Sequence, residues 1–365
     1  MASNKNQHFV PRCYLKHFTA GAANSAIHLF NIDKKRFINN APVKNQCSRD
    51  YFYGRDLRLE KALQDIEGLY ATAVSSILQP GYVLEDGERL LLLRFWLLQH
   101  LRTDAASARA AEMTTSMGSA AGLSAEEYKL GIQEAVHISL RAFAEHSDAV
   151  DDLKTCLILN RTPMPFITSD DPAIFANRWY QMKLRKFGRS FGLNAAGTIL
   201  LLPLTPRVLF LAYDGDVYSV PNKDGWVDVS LERDIAAINE RQYLNCRANI
   251  FVHDACHAGS VERHFNDVAH LRPASRHIVH YAVLDRREGN HSLYRVVPNR
   301  ASEEHARALI HVEAVRCVPR AWPMFLRWRS RGVVYTNDTG LGYIRRAWLN
   351  RTSATGFKKE PTGYS

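Results

Sequence analysis

Three short stretches of the chain carry side chains whose types and spacing suit chemistry. "NQHFVPRCYLKHF", residues 6–18, brings an imidazole to the start of the sequence. An extended "QHFVP" points His8 and Val10 to one side and Phe9 to the other, and Pro11 ends it before a short helical piece in which Tyr14 and Phe18, four apart, pin the segment to the core. Docking accounts for the rings. The imidazole of His8 additionally offers a base, a proton donor or a metal ligand near neutral pH. In "LLQHLRT", Gln99 and Arg102 are three apart and continue the helical face of Leu92 and Phe95, so a polar pair ends an apolar stripe. A buried guanidinium there needs a carboxylate or a ligand anion, and Glu67 is a candidate partner from the preceding helix. In "PFITSDDPA", residues 165–173, an apolar strand empties into Ser169, Asp170 and Asp171. One reading delivers a carboxylate to a cleft. The other makes Asp171 the N-cap of a helix with Pro172 at its first position, leaving Asp170 as the metal or base candidate.

The elements that must position these residues follow from periodicity. "AIHLFNIDKKRFINNAPV" alternates on both sides of a polar turn and predicts a β-hairpin. Apolar positions at 3 and 4 predict a helix from Leu57 to about Leu78, and a second, central one runs from about Asp86 to Met113. A third starts at Ser124 with the capping-box partner Glu127. "KTCLILN", "PFITS", "GTILLLPL", "RVLFLAY" and "DVYSV" then read as short strands, "NIFVH" as another between two helices, and "HIVHYAVLD" with "LYRVVP" as a further hairpin. The expected class is α+β: an N-terminal hairpin and helical block packed on a mainly antiparallel sheet, with an Arg-rich C-terminal extension.

Net charge divides unevenly. Of 47 Lys and Arg and 37 Asp and Glu, residues 1–271 hold 30 and 30, so residues 272–365 hold 17 against 7 and supply the whole +10. This suggests a core domain over 1–271 and a basic, aromatic subdomain over 272–365. Arg320, Arg327, Arg329, Arg331, Arg345 and Arg346, interleaved with rings such as Trp328, suit phosphates and stacked bases, so RNA or DNA is the expected partner. The competing reading is a partly buried terminal subdomain whose cations are solvated or paired. The six cysteines lack any C-x-x-C spacing, and the greasiest run is interrupted by Arg94, so neither a disulfide scaffold, a zinc knuckle nor a membrane span is expected, and the chain reads as cytoplasmic. His253, His257 and His264 lack the Glu of H-E-x-x-H, and no G-x-x-x-x-G-K-[ST] phosphate loop occurs.

Taken together, "NQHFVPRCYLKHF", Ile66-Glu67, "LLQHLRT", "NRTPMPFITSDDPA" and "LPLTP" resemble the bacterial domain-of-unknown-function family 4238 over roughly residues 5–255. The resemblance puts weight on Gln7, His8, Pro11, Tyr14, Glu67, Gln99, Arg102, Ser169, Asp170 and Pro172, and it supplies a site map without a reaction. The Arg-rich end lies outside it.

The expectation built on these residues is a metal-dependent phosphodiester hydrolase of a toxin or phage-defence type. His8 would be general base or metal ligand, Asp170 would hold a divalent ion (Mg or Mn), Arg102 would neutralise developing charge, and Gln99 with Ser169 would orient groups. The alternative is a non-catalytic nucleic-acid-binding or protein-interaction module in which the same side chains form a buried structural network. A third possibility, transfer chemistry on a small anionic substrate, draws on the same groups.

Overall fold

The computed structural model describes residues 5–21, 23–124, 128–182, 190–289, 291–297 and 308–364. It is α+β, as expected. The predicted hairpin is present: Ala26–Asn31 pairs antiparallel with Arg36–Pro42. Asn249–Val252 adds to its other side, followed by Thr168–Ser169, giving a four-stranded sheet that ends on the Ser-Asp-Asp motif. A five-stranded sheet, ordered Trp226–Val229, Lys154–Asn160, Val208–Tyr213, Ile199–Pro203 and Ile174–Ala176, holds the centre of the core; its inner strands Ile199–Pro203 and Val208–Tyr213 are buried along their whole length. Such runs without alternation are what a sheet covered on both faces requires.

The helices are α1 (Arg12–Leu15), α2 (Leu57–Ile77), α3 (Asp86–Arg102), α4 (Asp104–Ala121), α5 (Ile132–Glu145), α6 (Arg178–Met182), α7 (Glu232–Asn245) and α8 (Ala258–Val268). The N-terminal segment docks as predicted, with Val10, Tyr14, Leu15 and Phe18 fully buried and Tyr14 Oη 2.6 Å from Thr168 Oγ1.

Two expectations are corrected, and one of the two readings of Asp171 is excluded. The single helix expected over 86–113 is two, because Thr103 is extended (ψ 156°) and its Oγ1 accepts from Ala106 N, which starts α4. A side-chain cap of this kind replaces the backbone partner that the first turn lacks. The α4 helix then runs on to Gly122, whose positive φ (82°) closes it. The third helix begins at Ile132 after Gly131, not at Ser124; Glu127 lies outside the described residues. Residues 172–176 do not begin a helix. Ile174–Ala176 is an edge strand, so Asp171 caps nothing there.

The chain beyond 271 is stitched to what precedes it. Tyr218–Ser219 pairs with Arg327–Trp328, Ala195 bridges to Ile344, and Trp179 Nε1 donates to Thr362 O at 2.9 Å. Among the described residues, no helix is long and apolar enough to cross a membrane.

Candidate functional site

The motif residues come together as a polar junction where α3 breaks. Gln7 accepts from Tyr53 N at 2.7 Å and donates to Gly54 O at 2.9 Å, fastening the terminus to the loop ahead of α2. Gln99 donates to Phe9 O at 2.9 Å and accepts from Arg102 Nε at 3.2 Å. The Arg102 side chain is wholly buried and its Nη1 donates to Glu67 Oε1 at 2.9 Å, the partner expected from sequence; its Nη2 has no partner. His8 is half-buried with Nε2 unpartnered, and burial together with the Arg12 charge pushes its pKa down to about 4. Its neutral form therefore persists well below physiological pH.

Beside this junction, the Ser-Asp-Asp motif is clamped from α7 and from the residues that follow it. Asp170 Oδ1 accepts from Arg247 N (2.8 Å), and Oδ2 accepts from Ala248 N (2.8 Å) and Asn249 N (2.9 Å). Burial still raises its pKa to about 6, against the pull of these three donors. Ser169 Oγ donates to Gln242 Oε1 at 2.7 Å, while Gln242 Nε2 donates to Pro172 O and Asn245 Nδ2 to Asp171 O. Asp171 is fully buried and receives Thr103 Oγ1 at 2.9 Å and Arg109 Nη1 at 2.6 Å, while Asp104 pairs with Arg49 and Arg247.

Each of these residues thus joins segments far apart in sequence. Asp170 spends both oxygens on backbone N–H groups and shares no contact with His8. Among the described residues, no three His, Cys, Asp or Glu side chains gather as a metal site needs. His8 and Asp170 do not fit a divalent ion as a pair.

The basic aromatic set is also redistributed. Arg345, expected on a nucleic-acid surface, is instead buried with Asp152 (2.7 Å) and the carbonyls of Ala149 and Leu193. Trp328 is not an open platform: Arg178 lies 4.5 Å over its ring, and Tyr364 stacks on it at 4.5 Å. Arg320 and Arg346 are exposed but paired with Glu240 and Asp216, and Arg329 donates to Gly215 O. Arg327 and Arg331 are exposed.

The feature that sequence reading missed lies on the other side of Asp171. A cavity of about 450 Å³ is lined by Arg109, Arg241, Arg276 and Arg316, with His100 and His277 and an apolar wall that includes Phe175 and Phe191. No Asp or Glu among the described residues lines it. Arg241 sits 4.1 Å over Trp322 and donates to the carbonyls of Ala237 and Ala321, leaving Nε without a partner. Arg276 donates to Cys317 Sγ and Leu244 O. Arg316 rests over Phe175 (4.9 Å) and Phe191 (5.5 Å), and its buried Nε is likewise unpartnered. Burial lowers the pKa of Arg241 to about 9; burial and the charges of Arg109 and Arg276 lower that of Arg316 to about 10. Both stay charged at neutral pH, each carrying a desolvation cost that its neighbouring rings and carbonyls offset without an ion pair among the described residues. His100 stacks on Trp96 at 4.9 Å, and its Nδ1 lies 3.3 Å from Ala173 O. A carbonyl only accepts, so Nδ1 carries the proton and Nε2 keeps a bare lone pair.

A match to the family described as "Protein of unknown function (DUF4238)" spans residues 6–255. The chain belongs to that family. No curated protein and no solved structure matches it. The matched stretch contains the whole polar junction together with His100, Arg109 and Arg241. Arg276, His277 and Arg316 lie beyond it and complete the cavity. His100 lies in "LLQHLRT" beside Gln99 and Arg102, but those two prolong the Leu92 and Phe95 face of α3 whereas His100 packs against Trp96 and Ala173.

Proposed function

We propose that this protein binds a small, multiply charged anion in the arginine-lined cavity, and that Gln7, Glu67, Gln99, Arg102, Ser169, Asp170 and Asp171 form the scaffold that holds the cavity's walls. One observation carries the reading: four guanidinium groups line one cavity, no Asp or Glu among the described residues lines it, and among those residues only Arg109 forms an ion pair, with Asp171. Guanidinium cannot shed its charge at neutral pH, so convergent arginines are tolerable chiefly when an anion occupies the space between them. The cavity volume lies within the roughly 300–1,000 Å³ usual for small-molecule sites. Calorimetric titration of the full chain with phosphate esters, sulfate esters and dicarboxylates tests this. Saturable binding that weakens in Arg316→Met is the expected result, and no binding of any of these anions would refute it.

A second reading, binding of RNA or DNA, draws support from the solvent-facing Arg327, Arg329 and Arg331. It predicts salt-sensitive nucleic-acid binding that weakens in Arg327→Ala with Arg331→Ala.

A further inference from the structure

Resting on that anion-binding reading, we propose that the ligand of the cavity is a phosphate monoester bound as its dianion, with an aromatic or other apolar body lying against the ring-bearing wall. Three features select this class. The first is the amount of charge. Among the described residues Arg241, Arg276 and Arg316 form no ion pair with an acid, and Arg109 is paired with Asp171, so a single negative charge leaves most of the cationic excess in place. The second is direction. The four guanidiniums arrive from α4, from α7, from the turn before residue 277 and from the segment after Ala314. A planar carboxylate is served by one fork, whereas a tetrahedral phosphate presents oxygens toward several donors at once. The third is the remainder of the lining. Phe175, Phe191, Leu101 and Met113 offer nothing polar, so they suit the body of an ester better than a bare inorganic ion. At the edge of this apolar wall, the bare Nε2 of His100 can accept one hydrogen bond from a hydroxyl or amino group on that body.

The dianion requirement makes the proposal sensitive to pH through the ligand. The second ionisation of a phosphate monoester lies near pH 6. Among the described residues, the titratable side chains around the bound group are His100 from α3, His277 at the head of its strand and Cys317; the charges are the four arginines and, behind Arg109, the Asp171 carboxylate. His100 is neutral throughout the range of interest, held near 4 by burial and by Arg316 and Arg109.

The test uses calorimetry on the full chain with phenyl phosphate, phenyl sulfate, phenylphosphonate and adenosine 5′-monophosphate. Phenyl phosphate and adenosine monophosphate are expected to bind. Phenyl sulfate, the same shape with one charge, is expected to bind at least roughly tenfold more weakly. Below about pH 6 the phosphate affinity should fall about tenfold per pH unit. The midpoint should move upward for phenylphosphonate, whose second ionisation is higher; a midpoint that stays fixed between the two ligands would mean that a group of the protein, and not the ligand, is titrating, and would overturn the dianion proposal. Equal binding of sulfate and phosphate, or an affinity unchanged between pH 7.5 and 5, also overturns it while leaving the general anion site standing. Failure of every anion, dicarboxylates included, removes the underlying reading itself. The comparison of ligands needs no variant, so it holds even if Arg316→Met folds poorly.

Discussion

Two guanidiniums in this protein, that of the buried Arg102 and that of the half-buried Arg316, have opposite surroundings. Arg102 sits at the junction with Glu67 against Nη1 and Gln99 against Nε. Arg316 lies over the faces of Phe175 and Phe191 beside two neighbouring arginines, and feels the Asp171 carboxylate without an ion pair to it among the described residues. Partnered charge of the first kind locks segments together, since either half alone would be stranded in a low-dielectric interior. Charge of the second kind is held ready at a cost, which is how protein interiors treat groups meant for a ligand. The motif residues that attract the eye in the sequence belong to the first region. The groups with capacity to spare belong to the second.

Removing Glu67 should separate the two regions most sharply. Glu67→Ala strands Arg102 and is expected to cost about 3 kcal/mol in urea unfolding, with anion affinity unchanged in whatever fraction remains folded. If the loss is below about 1 kcal/mol, the junction is not the scaffold described.

His100 offers a pH test of the cavity side. It is neutral in the folded state down to about 4, as are His8 and His17, whereas the unfolded chain takes up protons near 6.5. The unfolded state thus gains protons first, and these three groups remove stability as pH falls from about 6.5 toward 4. Asp170 and Asp214, raised to about 6 by burial, act in the opposite sense over the lower part of that window. His100→Asn keeps an N–H for Ala173 O and deletes one of the three histidine contributions. Its stability loss between pH 7 and 5 should be smaller than the parent's by on the order of 2 kcal/mol, and an identical pH profile would contradict the burial of this imidazole.

Arg316→Met should lower anion affinity roughly tenfold, about 1.4 kcal/mol, yet leave the melting temperature of the ligand-free protein unchanged or raised, because it relieves like-charge repulsion without stranding an acid. A large destabilisation would show that Arg316 is structural after all. Arg327→Ala with Arg331→Ala should change stability by less than about 0.5 kcal/mol. Should the protein bind nucleic acid, that pair is where the salt dependence ought to shrink.

Much of the fold was legible in the chain because its local patterns agree with its tertiary structure. The hairpin around Asp33, the α2 helix and the buried strands at 154–160, 199–203 and 208–213 all announce themselves by period and by turn residues. The failures have physical causes. Thr103 looks like an ordinary helical residue until Asp171, 68 positions away, accepts its hydroxyl. Asp171-Pro172 has the chemistry of a helix start, yet the edge of the central sheet recruits the residues that follow. The Arg102–Glu67 pair was predictable from the cost of an isolated buried cation. The cavity was not, since Arg276 and Arg316 sit far along the chain from His100, and surface and buried arginines read alike in one dimension.

Arg109 stands on both sides of this division, with Nη1 on Asp171 and its side chain in the cavity wall. A ligand that draws the guanidinium toward itself competes with the carboxylate that also anchors Thr103, the residue separating α3 from α4. Occupancy of the hollow is thereby wired to the tightness of a helix boundary, and hydrogen exchange at Ala106, whose amide rests on that threonine, would register filling of the site from outside it.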